Sequence, residues 1–133
     1  MALVYNKSLA EGFKYIPESD RSDKAPFSVI MQPIDSVRLV ILEDGLFKRG
    51  ADNSLSISTG SYNVSLCRNA IKSWDNMTDE AGKVVSIQLD AKGYISQESL
   101  SKLPTTLITE LANVIATTSQ DPSTIQLFKA EDE

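Results

Sequence analysis

LPTTLITELANVIATTS, residues 103 to 119, puts Leu107, Ile108, Leu111, Val114 and Ile115 on one face of a 3.6-residue repeat. No other segment has so clear an apolar stripe, and the spacing predicts a helix. Pro104 sits well at its first turn, where a missing N–H leaves no hydrogen bond unmade. A helix this apolar on one side needs a surface to cover it, so it should stand as a pillar of the core.

Upstream of it, Ser96 is placed to cap a short helical piece through Leu100, and LDAKGYIS turns at Gly93. Lys83 to Leu89 sets Val85, Ile87 and Leu89 against Val84, Ser86 and Gln88, the alternation of a strand or extended segment. Tyr62, Leu66, Ala70 and Trp74 fall four apart, with Cys67 and Ile71 widening the stripe. That spacing predicts an amphipathic helix that opens near Ser61 and carries Trp74 at its end. Arg49 to Ser61 is turn-rich, and a short alternation at Leu55 and Ile57 marks it as a loop or weak hairpin.

Still closer to the amino terminus, DSVRLVILEDG has a capping residue in Asp35, apolar positions at Val37, Val40 and Ile41, and a stop at Gly45. Helix is the better reading, although the β-branched content keeps a strand open. Phe27 to Gln32 alternates Phe27, Val29 and Met31 against Ser28, Ile30 and Gln32, a half-buried strand stopped by Pro33. The fold class is therefore α+β: a small single domain, residues 27–119, with a few short strands packed against two to three amphipathic helices. Residues 1–26 mix prolines and charges without periodicity and read as an extended N-terminal arm, and residues 120–133 as an acidic C-terminal tail.

At 133 residues the chain is long enough to bury one core without disulfide or metal staples. Cys67 is the one cysteine and falls within an apolar stripe, so it reads as a small buried hydrophobe. There is no cationic, apolar leader pattern near Met1 and no run approaching the roughly 20 apolar residues that span a bilayer. A cytoplasmic setting without a membrane is expected. The net charge of −5, from 18 acids and 13 bases, offers no field for a phosphate backbone and argues against nucleic acid. With no histidine at all, the usual general base and the commonest zinc ligand are missing.

The candidate chemical motifs lie in IKSWDNMTDEAGKVVSIQLD, residues 71–90. Asp75, Asp79 and Glu80 precede Gly82, but they miss the alternate-position spacing of a calcium loop and no closing glutamate stands at the required distance. In QLDAKGYISQES, Asp90 and Gly93 fit such a loop, whereas Gln88, Lys92 and Ser99 do not. Gly82-Lys83 leads into a strand pattern rather than a helix, which removes the phosphate-loop reading. Lys72 with Asp75, or Asp79 with Glu80, read as solvated charge. Trp74 reads as a core or interface anchor. No catalytic residue, metal site, cofactor or small-molecule substrate is expected, and the chain is not expected to be an enzyme.

The order of these motifs resembles a known family. A strand opening FSV, a helix ending AIKSW, the turn DNMTDEAGK, and then ISQESLSKLPTTLITELANVI resemble small tailed-bacteriophage morphogenesis proteins of the tail assembly chaperone family, over Phe27 to Ser119. The resemblance implies a non-enzymatic protein that binds phage tail proteins, such as the tape measure and tube subunits, in the host cytoplasm during assembly. Trp74, Gly82, Leu103, Pro104 and Leu107 are the matching positions and are fold-forming. A minor virion component of the head, neck or tail is the alternative, and self-association stays open. The docking residues are expected at the two ends: Tyr5, Phe13 and Tyr15 in the arm and Phe128 in the tail, apolar anchors among charges. On that reading a fragment spanning Ala25 to Ser119 folds alone and loses its partner.

Overall fold

The computed structural model describes residues 12–21, 25–49, 52, 55–57 and 59–130. In chain order the elements are β1 (Phe13–Tyr15), β2 (Ser28–Met31), α1 (Ser36–Asp44), β3 (Phe47–Arg49), β4 (Leu55–Ile57), α2 (Thr59–Ala70), β5 (Ile71–Asp75), α3 (Gln97–Leu100), α4 (Thr105–Gln120) and α5 (Ile125–Phe128). The α+β class expected of the sequence is the observed one.

The alternation around Val29 sets the middle of the main sheet. β2 pairs antiparallel with β1 on one side and β5 on the other, while β3 and β4 form a separate antiparallel pair. Phe27, Val29 and Met31 turn inward as their period predicts. In register, Phe13 lies opposite Met31 and Tyr15 opposite Val29, so both aromatics join the same buried face.

This corrects the expectation of an arm over residues 1–26, as far as its described part goes. Three residues of alternation are too few to announce a strand, and β2 supplies the ladder that makes them one. The described part of the 120–133 tail also packs on the core. Residues Pro122–Thr124 form a 3₁₀ turn, Ile125 is buried, and the Ala130 N–H donates to the Lys14 carbonyl at 2.7 Å.

α2 runs into β5 without a loop, so the expected helix ending in Trp74 stops instead at Ala70. The Ala70 carbonyl accepts from Gln32 N–H at 2.8 Å, which ties the junction to β2. Opposite β5, Ile30 faces Ser73 and Met31 faces Ile71, so Lys72 is bulged out of the ladder. The bulge brings Ile71 and Trp74, three residues apart, to the same buried side. A bulged strand has thereby copied the spacing of a helical turn.

Trp74 in turn anchors the segment at residues 76–89. Its Nε1–H donates to the Val85 carbonyl at 2.9 Å, and its ring lies 6.2 Å from that of Phe27. The turn between is closed by Asp79, whose carboxylate accepts from the Ala81 and Lys83 amides, both at 2.9 Å. Gly82 takes φ +82°, the left-handed region where glycine is unstrained. Residues 83–89 are extended but bridge at single points, Thr78 with Val84 and Leu89 with Ile95.

α4 fulfils its role as pillar. Leu111, Ala112, Val114, Ile115 and Thr118 are buried, and the helix packs against α2. α1 does the reverse of what its sequence predicts. Asp35 caps it, accepting from Arg38 N–H at 2.9 Å, yet Leu39 is the residue buried, with Leu42 partly so. Val37, Val40 and Ile41 point outward, 70%, 56% and 54% exposed. Apolar side chains occur at 37 and at 39–42, nearly all round the helix, so the sequence has no preferred face and packing chose the two leucines.

Candidate functional site

The four residues expected to dock a partner divide sharply. Tyr5 lies outside the described residues. Phe13 and Tyr15 are buried, and the Tyr15 hydroxyl donates to the Glu110 carboxylate on α4. Burial first, and then the hydrogen bond and charge of Glu110, push the Tyr15 phenol well above its ordinary pKa. The same carboxylate accepts from Glu18 N–H at 3.2 Å, and the Arg21 guanidinium sits 5.8 Å from the Tyr15 ring centre. Phe128 is half-buried, its ring edge-on to Tyr15 at 6.5 Å. Tyr15 and Phe128 therefore close the seam between β1, α4 and α5, and with Phe13, buried opposite Met31, they pack into or against the core rather than standing as exposed anchors.

The acidic turns hold their own backbone. Asp79 closes one, and Asp90 closes the other, accepting from Lys92 and Tyr94 amides at 2.8 and 3.1 Å. Among the described residues no group of three or more histidine, cysteine, aspartate or glutamate side chains is placed to hold a metal ion. Cys67 is fully buried, and burial pushes its thiol up to about 12.

What the fold brings together instead is a group of bases. An open pocket of about 460 Å³ lies between α1, α2 and the turn at residues 90–94. Arg38 and Leu42 line it from α1, Arg68 and Asn69 from α2, and Lys92 and Tyr94 from the turn. Lys72, bulged out of β5, stands at the rim with its ammonium 5.8 Å from the Tyr94 ring centre and bonded to the Asn69 carbonyl at 3.2 Å.

Each base is held differently. Arg68 Nη2 pairs with Asp90 at 3.1 Å, an orientation that buries its Nε without an acceptor and leaves the guanidinium one hydrogen bond short. Burial tends to raise the Asp90 pKa, but the Tyr94 and Lys92 amides and then Arg68 outweigh it and hold the carboxyl below its ordinary value. Arg38 Nε donates to the neutral Asn69 side chain at 3.1 Å, and Asn69 in turn donates to the Ser65 carbonyl at 2.8 Å. Among the described residues neither Arg38 nor Lys92 has a carboxylate partner. The pocket and its rim thus carry the cations of Arg38, Arg68, Lys72 and Lys92 against an Asp90 that is already bonded.

Beside it runs the outer face of α1. Ile41 follows Arg38 by one helical turn and borders the pocket side of α1, whereas Val40, about 160° round the helix from Arg38, faces away from it, and Val37 lies between the two. Asp44, also exposed, ends that face. The sequence carries little warning of this site, because its cations stand at positions 38, 68, 72 and 92. The one local signal is Arg68 and Lys72, four residues apart.

Comparison of the chain with protein-family models, with curated proteins and with solved structures returns no match. Among the described residues no helix is long and apolar enough to cross a membrane.

Proposed function

We propose that this chain is a non-enzymatic assembly protein that works by holding other proteins, and that it serves as a tail assembly chaperone in bacteriophage morphogenesis. The observation that carries the protein-binding part is the α1 ridge. Singly exposed apolar residues are ordinary, but Val37, Val40 and Ile41 share one face of a capped helix whose other side already packs on the core. A partner protein is the occupant that fits. Asp44 on that face and a net charge of −5 disfavour an anionic lipid surface or a nucleic acid. The phage setting is supported by the resemblance along Phe27 to Ser119, and on that reading the chain works in the host cytoplasm during assembly.

Co-expression with the tail tube and tape measure proteins of the same phage, followed by purification, tests this reading. The intact chain should co-purify with one of them, and Val40→Glu should abolish the complex while the variant alone stays folded by circular dichroism. Mass spectrometry of purified virions then separates the two phage roles. Absence from the particle fits a chaperone, and stoichiometric presence replaces it with a minor virion component of the head, neck or tail.

A further inference from the structure

We infer that the cationic pocket and the adjoining Ile41 edge of the α1 ridge form one binding groove, and that its occupant is an acidic, amphipathic segment of the partner protein. This rests on the protein-binding reading above and specifies the chemistry of the partner. Asp90 is taken up by Arg68 and two backbone amides, so among the described residues no carboxylate pairs with Arg38, Lys72 or Lys92. In a protein whose net charge is −5, this local excess of positive charge runs against the whole. Complementary charge is what fixes the register of a docked chain and suppresses wrong partners.

The pocket suits carboxylates better than phosphate. Phosphate sites are commonly built from converging backbone N–H groups, and here the Lys92 and Tyr94 amides are already spent on Asp90. What remains is side-chain donors, the two ammoniums of Lys72 and Lys92 and the Arg38 guanidinium, whose planar fork can take a carboxylate. Leu42 on the pocket wall and Ile41 one position back give the same segment an apolar footing. Asp44 at the far end of α1 sets a direction: the acids of the partner lie toward Arg38, and its apolar residues toward Ile41 and Leu42.

Nuclear magnetic resonance titration of the full chain with the synthetic peptide LEELLEE tests this, with LQQLLQQ and inorganic phosphate as competitors. The glutamate peptide should shift resonances of α1, of residues 65–72 and of residues 90–94. Arg38→Glu with Lys92→Glu should weaken it about tenfold, the loss of two partly shielded ion pairs. Arg38→Gln with Lys92→Gln, which adds no acid, should show the same trend with an unchanged melting temperature. Raising salt from about 50 to about 300 mM should weaken binding as screening shortens the reach of the charges.

Equal binding of LQQLLQQ would overturn the inference and leave the ridge as a purely apolar site, with the protein-binding reading intact. Displacement by phosphate with the same shifts would make the pocket a small-anion site and overturn it too. So would matching shifts produced by concentration alone, which would mark the occupant as a second copy. No shift with either peptide also overturns it, and co-purification with the tail proteins then decides the wider reading separately.

Discussion

Tyr15 and Val40 mark two regions built from similar apolar material and used in opposite ways. Tyr15 is 2% exposed and Val40 56%. β1 satisfies its backbone only through other segments of the chain, by pairing with β2 and by taking the Ala130 N–H on its Lys14 carbonyl, and once so held its side chains lie over the core. α1 satisfies its own backbone through its internal hydrogen bonds and the Asp35 cap, so it can be anchored by Leu39 and Leu42 and leave a face open. A short terminal strand is thus a poor place for a detachable docking segment, and a capped surface helix is a good one. This is why Phe13, Tyr15 and Phe128, expected as exposed anchors, pack into or against the core, and why the docking site we propose lies on α1 instead.

The hardest test of that contrast removes the seam altogether. A fragment spanning Ala25 to Ser119 lacks β1 and α5, and we expect it to lose cooperative unfolding, the opposite of what a dispensable arm and tail would give. A sigmoidal melt close to that of the full chain would show the seam to be peripheral. Next, Tyr15→Ala should destabilise by about 3–5 kcal/mol in urea unfolding, the range for truncating a buried aromatic. A shift of the size usual for a surface residue would place β1 outside the core.

Tyr15→Phe keeps the ring and removes the hydroxyl that bonds Glu110, so a smaller loss of about 1.5–3 kcal/mol is expected. It should also alter the alkaline limb. The folded state holds the phenol neutral, so its contribution is full below the ordinary tyrosine value of about 10 and is lost as pH rises beyond it. The phenylalanine variant should show a shallower decline there.

At the pocket and on α1 the effects should be milder. Asp90 is held below its ordinary pKa in the fold, so its contribution is present above the unfolded carboxylate value near about 4 and is lost as pH falls through the lower folded one. Asp90→Asn should therefore lie below the natural chain at pH 7 and converge with it in acid, as followed by denaturant midpoints across pH. Val40→Ser and Ile41→Ser should be nearly silent, within about 0.5 kcal/mol, because the side chains already face water. A larger loss in either would mean that the α1 face is covered in the free protein, and would bring the two regions closer in kind.

What the amino-acid sequence determined by itself is the set of elements whose periodicity is long enough to be unambiguous. α4 and β2 have one apolar face each, and α3 has its capping Ser96, so local physics and the final packing agree there. The tertiary structure decided the rest for identifiable reasons. β1 is three residues of alternation and needed β2 to become a strand. The bulge at Lys72 put Ile71 and Trp74 at a helical spacing on a strand, and only the register against Ile30 and Met31 distinguishes the two. α1 is apolar nearly all round, so which side is core depended on where Leu39 and Leu42 could reach. The cationic pocket was least legible of all, because charges at positions 38, 68, 72 and 92 become neighbours only through the crossing of α1, α2 and the turn at Gly93. Long-range proximity of polar side chains leaves no period in a sequence, and it is the chain's path that gathers them.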